Sequence, residues 1–178
     1  MMGRNTRMAL ICAMIGVLGL AAAPVAAQTV ILVRHGEKAD EGRDPDLSQA
    51  GQARAEALAQ GLGGAGLTHV LVTPLRRTYQ TAGPSAAGAG LAPLAVGFDG
   101  GIEAHVARVA ETARGFGPDA VVLVAGHSNT IPLIARALGA VDEAEMSDCE
   151  YDRLIVLDLG GETVRAVRAR YGAPTEAC

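Results

Sequence analysis

Two histidines and three arginines stand in three short stretches of this chain, each directly after an apolar run. Arg34-His35-Gly36-Glu37 follows Val30 to Val33, Arg76-Arg77 follows Val70 to Thr73, and His127 follows Ala120 to Gly126. A guanidinium grips planar or tetrahedral oxyanions through paired N–H groups, and an imidazole titrates close enough to neutrality to attack or to move protons. One histidine at the end of a strand is more often structural. Two histidines and two arginines at equivalent strand ends are hard to assign to packing, and they point to a site for an anionic substrate.

The elements that would position these groups follow from hydrophobic period. Apolar runs at about 28–33, 68–72, 92–97, 120–125, 153–159 and 163–169 predict strands, and helical patterns fall at about 48–62, 74–82, 101–115 and 129–138. This alternation predicts an α/β fold, a three-layer α/β/α sandwich with a mostly parallel sheet and an antiparallel hairpin turning at Gly160-Gly161. In such sheets ligands lie at the carboxyl ends of the strands, where all three polar stretches fall. Ser48 is a good N-cap for the first helix, whose Ala53, Ala57, Leu58 and Leu62 form an apolar stripe. Pro74 suits a first helical turn, and successive helical residues diverge by about 100°, so only one of Arg76 and Arg77 faces the site. Residues 61–66 and 83–90 read as small-residue connections. His69 and His105 read as structural or solvated, and Glu37 with Lys38 as a rim ion pair or a substrate-selecting pair.

Arg4 and Arg7, the apolar stretch Met8 to Ala23 and the small residues Val25-Ala26-Ala27 make residues 1–27 a secretory signal peptide, leaving one domain over 28–178. An uncleaved anchor is the weaker alternative, and Cys12 lacks the small preceding residue of a lipoprotein signal. The protein is therefore expected in the periplasm or secreted, without stable membrane association once the signal is cut. Nineteen acidic residues against fifteen lysines and arginines argue against nucleic acid as a partner. Export places Cys149 and Cys178 in an oxidising compartment, where both would lie beyond the same end of the hairpin and a disulfide is plausible.

R-H-G-E after one apolar strand, T-P-L-R-R-T-x-Q-T-A after the next and G-H-S-N-T after a later one resemble the histidine phosphatase superfamily, the phosphoglycerate mutase-like proteins. The likeness runs from Thr29 to about Tyr171 and includes L-S-x-x-G-x-x-R-A from Leu47. It implies a phosphoric ester hydrolase of the histidine acid phosphatase type, in a small single-domain bacterial form, with no metal and no cofactor. By that resemblance His35 attacks phosphorus and forms a phosphohistidine that water hydrolyses, while Arg34, Arg77 and His127 surround the phosphoryl oxygens. Asn129 adds a neutral donor, and Arg77 rather than Arg76 matches the family's position. A nucleophilic His35 must be neutral, its second nitrogen donating to a backbone carbonyl that Gly36 either supplies or makes room for.

The departure from the family is the general acid, because residues 97–105 match its pattern poorly. Asp99 and Glu103 are the nearest candidates, with Glu150 and Asp152 behind them. Without an acid, an acyl phosphate or phosphoramidate suits the site better than an alkyl phosphate. The expected partner is a small phosphorylated substrate or a phosphorylated surface glycan. The competing reading is a phospho-ligand binding protein that has lost turnover.

Overall fold

The structure is a computed structural model and describes residues 27–175. The expected leader, Ala27 apart, and Cys178 lie outside the described residues. The elements run β1 (Thr29–Arg34), α1 (Gln49–Leu62), β2 (His69–Val72), α2 (Arg76–Gly88), β3 (Leu94–Ala95), α3 (Gly101–Gly115), β4 (Val121–Gly126), α4 (Ile131–Ala137), β5 (Arg153–Asp158) and β6 (Arg165–Arg170). They form one six-stranded mixed sheet in the order β3-β2-β4-β1-β5-β6. The pairs β3–β2, β2–β4 and β4–β1 are parallel, whereas the pairs β1–β5 and β5–β6 are antiparallel.

Alternation along the strands divides the core into two. Val30 and Leu32 of β1, with Val122 and Val124 of β4, pack toward α3 and α4, while Ile31, Val33, Leu123 and Ala125 pack toward α1 and α2. Both sheet faces are thus covered, as continuous apolar strands require, and the three-layer expectation is met. Because β1, β2 and β4 are parallel, Arg34, Thr73 and His127 emerge at one edge. Antiparallel β5 begins at that same edge, since Leu154 pairs with Val33, so the segment preceding β5 is delivered there too.

Three sequence expectations need correction. Pro74 does not open α2: Leu75 is the N-cap and the helix begins at Arg76. The supposed connection at 83–90 is largely helix, which continues through Gly83 and Pro84 to Gly88. Ala82, Ser85 and Ala86 are buried on that turn, and their packing outweighs the cost of glycine and proline inside a helix. β3 is also shorter than the apolar run suggests, because it is an edge strand pairing only with β2.

Candidate active site

The sequence motif around Leu47 acquires a physical meaning at the turn after β1. Ser48 caps α1 by accepting from the Gly51 amide, and Gly51 lies so close to the strand exit that a Cβ there would come within 2.3 Å of the Glu37 carbonyl oxygen. Gly36 is equally constrained, since its Cβ would fall 2.8 Å from the Gly51 carbonyl oxygen. Arg54, one turn further on, is buried and donates from Nε and Nη2 to the Glu37 carboxylate at 2.6–3.1 Å. Glu37 is therefore not part of a rim pair. Burial would raise its pKa, but the Arg54 hydrogen bonds and charge hold it below the usual glutamate value. Lys38 does sit on the rim, paired with Glu41.

This clamp fixes His35. Its Nδ1–H donates to the Gly36 carbonyl at 2.7 Å, so Gly36 supplies the acceptor and Nε2 keeps its lone pair. The Gly36 amide in turn donates to Thr81 Oγ1 at 2.8 Å. Burial pulls the His35 pKa down to about 4 against the Gly36 hydrogen bond, and Arg34 and Arg77 lower it further. The imidazole is therefore neutral near pH 7.

Arg34, His35, Arg77 and His127 line one cavity of about 520 Å³, together with Lys38, Glu41, Leu75, Phe98, Ile102, Ser128, Asn129, Thr130, Asp148 and Tyr151. The four groups drawn from three strand ends do converge. Arg76 points away, is exposed and pairs with Asp46, as the helical geometry requires. Arg34 is oriented by groups that sequence reasoning did not identify. Its Nη1 donates to the carbonyls of Ser147, Asp148 and Glu150 at 2.7–3.2 Å, and its guanidinium carbon lies 3.9 Å from the centre of the Tyr151 ring. Nε of Arg34 and Nε of Arg77 are both buried without an acceptor. Two guanidinium groups lining one cavity suit an oxyanion, which each can grip through paired N–H groups.

His127 is held by a chain of hydroxyls. Arg77 Nη2 donates toward its Nδ1 at 3.4 Å, so Nε2 carries the proton and donates to Thr73 Oγ1 at 3.1 Å. Thr73 then donates to Thr78, whose hydroxyl hydrogen goes to a backbone carbonyl. Burial, then His35 and Arg77, pull the His127 pKa down to about 3. Thr73, Thr78 and Thr81 all lie within the T-P-L-R-R-T-x-Q-T run, where a spacing of four puts Arg77 and Thr81 on one helical face and a spacing of three puts Thr78 beside Thr81. That was the available signal for them.

The acid candidates do not join this arrangement. Asp99 and Glu103 are exposed and outside the cavity lining, while Phe98 and Ile102 beside them line it. Glu150 is tied to Arg153 and Arg170, and Asp152 to Arg170 and Thr175. The carboxylates that do line the cavity are Asp148, which accepts from Ser128 Oγ at 2.9 Å, and Glu41, paired with Lys38. Neither expected position for His105 and His69 is a site: His105 is buried beneath Phe98, and His69 stacks on Phe116. Cys149 is disulfide-bonded, and the expected partner Cys178 falls outside the described residues. Among the described residues, no three His, Cys, Asp or Glu side chains gather as a metal site would.

Residues 30–97 match the pattern of the histidine phosphatase superfamily, branch 1. No curated protein matches the sequence at a significant level. Among solved structures, the fold is similar to a mycobacterial glucosyl-3-phosphoglycerate phosphatase with a TM-score of 0.59, 18% identity, and 83% of this chain and 99% of that one covered. A candidate phosphohistidine phosphatase SixA from Nakamurella multipartitia gives 0.55 at 25% identity, covering 85% and 99% of the two chains. A protein histidine phosphatase SixA bound to tungstate gives 0.58 at 18% identity, covering 80% and 96%.

Proposed function

We propose that this chain, a histidine phosphatase superfamily protein by its residues 30–97 and its fold, is an exported, metal-independent phosphatase that works through a phosphohistidine on His35. The observation that carries this reading is the convergence of Arg34 and Arg77 on the same cavity as a neutral His35 whose free nitrogen is Nε2. The Nε2 lone pair forms a bond to phosphorus as the bond to the leaving atom breaks and its electron pair departs with that atom. Water then attacks the phosphohistidine, one proton passes to solvent, and phosphate leaves His35 neutral again. Arg34 and Arg77 bear the charge on the phosphoryl oxygens throughout, Asn129 adds a neutral donor, and His127, whose proton goes to Thr73, accepts from Arg77 and so helps to orient it. With that positive charge supplied by guanidinium groups, the displacement calls for no metal.

The cavity wall around Phe98 offers no carboxylic acid, and the two carboxylates elsewhere in the lining are already engaged, Asp148 by Ser128 and Glu41 by Lys38, which favours leaving groups that depart without an acid. Acyl phosphates and phosphoramidates fit this requirement better than alkyl phosphates. The phosphohistidine named for the SixA proteins is a phosphoramidate, and the tungstate complex of one of them is an oxyanion complex of this fold. Export is supported by the basic and apolar leader in the sequence and by the disulfide at Cys149.

The test is turnover of acetyl phosphate, phosphoramidate, phenyl phosphate and glycerol phosphate by the purified protein and by His35→Ala, with EDTA present. Turnover that survives EDTA and is lost in His35→Ala supports the reading. That Asp99 and Glu103 lie outside the cavity lining also suits a phospho-ligand binding protein, which would bind phosphate tightly and turn over none of the four. An amino-terminal sequence beginning at Gln28 in the exported protein would support signal cleavage, and an intact leader would contradict it.

A further inference from the structure

The sheet order splits the cavity wall into two kinds of surface. Asp148 and Tyr151 arrive from the segment before β5, on one side of β1. Leu75, Phe98 and Ile102 arrive from the β2–α2 and β3–α3 connections, on the other. Apart from Arg77, the second side is apolar, and it is the side where Asp99 and Glu103 were expected to supply an acid.

Phe98 is firmly built in. Its ring centre lies 4.6 Å from that of His105 and 5.8 Å from that of His127, tilted by 36° and 44°. His105 is 1% exposed, and its Nδ1–H donates to the Gly97 carbonyl at 2.9 Å. Arg108 Nη2 donates to the same carbonyl at 2.8 Å. Two donors thus pin the peptide that carries Phe98. The chain then turns through Gly100 and Gly101, at φ of 80° and 89°, a conformation that favours glycine and brings Ile102 to the mouth beside Phe98. His105 and Arg108 are positioning residues for this wall, a use for the buried histidine that the displacement chemistry leaves idle.

We propose that Phe98, flanked by Ile102 and Leu75, seats the leaving group and selects phosphoryl compounds whose leaving atom belongs to a flat ring. An N-phosphorylated imidazole or an aryl phosphate is then preferred over a glycerol or sugar phosphate, whose hydroxyls would lose water against this wall without gaining a partner. The ring lies against Phe98 while phosphorus faces His35. When the phosphorus bond to the ring breaks, the electron pair passes to the ring nitrogen or oxygen, which takes its proton from water. This inference rests on the phosphatase reading for the reaction, but the ring subsite can be measured without turnover.

The test is competitive binding of phenylphosphonate, methylphosphonate and inorganic phosphate by titration calorimetry, since phosphonates have no leaving group to confuse the comparison. Phenylphosphonate should bind on the order of 10-fold more tightly than methylphosphonate, the scale of a ring–ring contact plus the apolar area it covers. Phe98→Ala should erase that difference while inorganic phosphate affinity stays within about 2-fold. Ile102→Ser, at a half-exposed position, should narrow the difference and serves if Phe98→Ala does not fold. Equal binding of the two phosphonates by the wild type, or an equal loss for all three ligands in Phe98→Ala, overturns the proposal. Turnover of 1-phosphoimidazole and phenyl phosphate separates an N-linked from an O-linked source, and glycerol phosphate outrunning both also overturns it. Ring-selective binding without any turnover would sink the phosphatase reading alone. Turnover without ring preference would sink only the subsite.

Discussion

The rings of His35 and His127 meet edge to face with centres 5.2 Å apart, and their protons are turned to opposite partners. His35 gives its Nδ1–H to the Gly36 carbonyl, and His127 gives its Nε2–H to Thr73. Two neutral imidazoles can share a small buried space in this way, whereas two imidazolium ions beside Arg34 and Arg77 could not. The pair is therefore held neutral beside the two guanidinium groups, which leaves His35 Nε2 the lone pair that the proposed attack requires.

The acid limb of kcat/KM should lie near pH 4 rather than near the ordinary histidine value, once the substrate's own ionisation is taken out. Neutral His35 is the competent form, and its pKa stands lowered to about 4. The same shifts make stability fall with pH: the unfolded chain takes up protons on both histidines below about 6.5, whereas the folded one resists to about 4 and about 3. Melting temperature measured from pH 7 to pH 4 should therefore drop, and His127→Asn should flatten part of that slope.

Arg77→Ala should lower kcat by about 10²–10³, on the order of 2.7–4 kcal/mol of barrier, as for loss of an oxyanion donor. Arg76→Ala, whose side chain is 60% exposed, should change kcat by less than about 2-fold. Steady-state kinetics on the two neighbouring variants checks this. Equal losses would mean that helix geometry does not choose between them.

Much of this arrangement was legible before the structure. Arg34, His35 and His127 each follow a strand whose apolar run is too continuous to be anything but buried, and parallel strands must bring such ends to one edge. The choice of Arg77 came from the family resemblance, and helix geometry agrees. What sequence missed comes from elsewhere in the chain. Tyr151 and the carbonyls of residues 147–150 reach Arg34 only because β5 runs antiparallel and starts beside the end of β1. Glu37 was misread because its partner Arg54 lies 17 residues away, across the approach of Gly36 to Gly51. α2 outran its expected end because burial of Ala82, Ser85 and Ala86 decides what Gly83 and Pro84 alone would not.

Gly51→Ala should destabilise the protein and disturb His35 together, since a methyl group would strike the Glu37 backbone at 2.3 Å. Glu37→Gln, which leaves buried Arg54 without its charge partner, should cost roughly 3 kcal/mol. Denaturant unfolding measures both. The Gly51 variant should also lose phosphate binding, and one that kept full affinity would contradict the role given to this contact.

Reduction of the Cys149 disulfide, or Cys149→Ser, should lower stability by about 2–5 kcal/mol. Phosphate affinity should fall as well, because Cys149 sits among the carbonyls that hold Arg34. Thermal melts with and without reductant give the first effect and calorimetry the second. Non-reducing peptide mass spectrometry would show whether Cys178 is the partner.

The central claim is a covalent phosphohistidine on His35, and rapid quench with a labelled acyl phosphate or phosphoramidate tests it most directly. The account predicts an alkali-stable, acid-labile phosphoryl group on the peptide containing His35 within the first turnover, absent in His35→Ala while His127 remains. Undiminished turnover in His35→Ala, or label found on His127 instead, would contradict it.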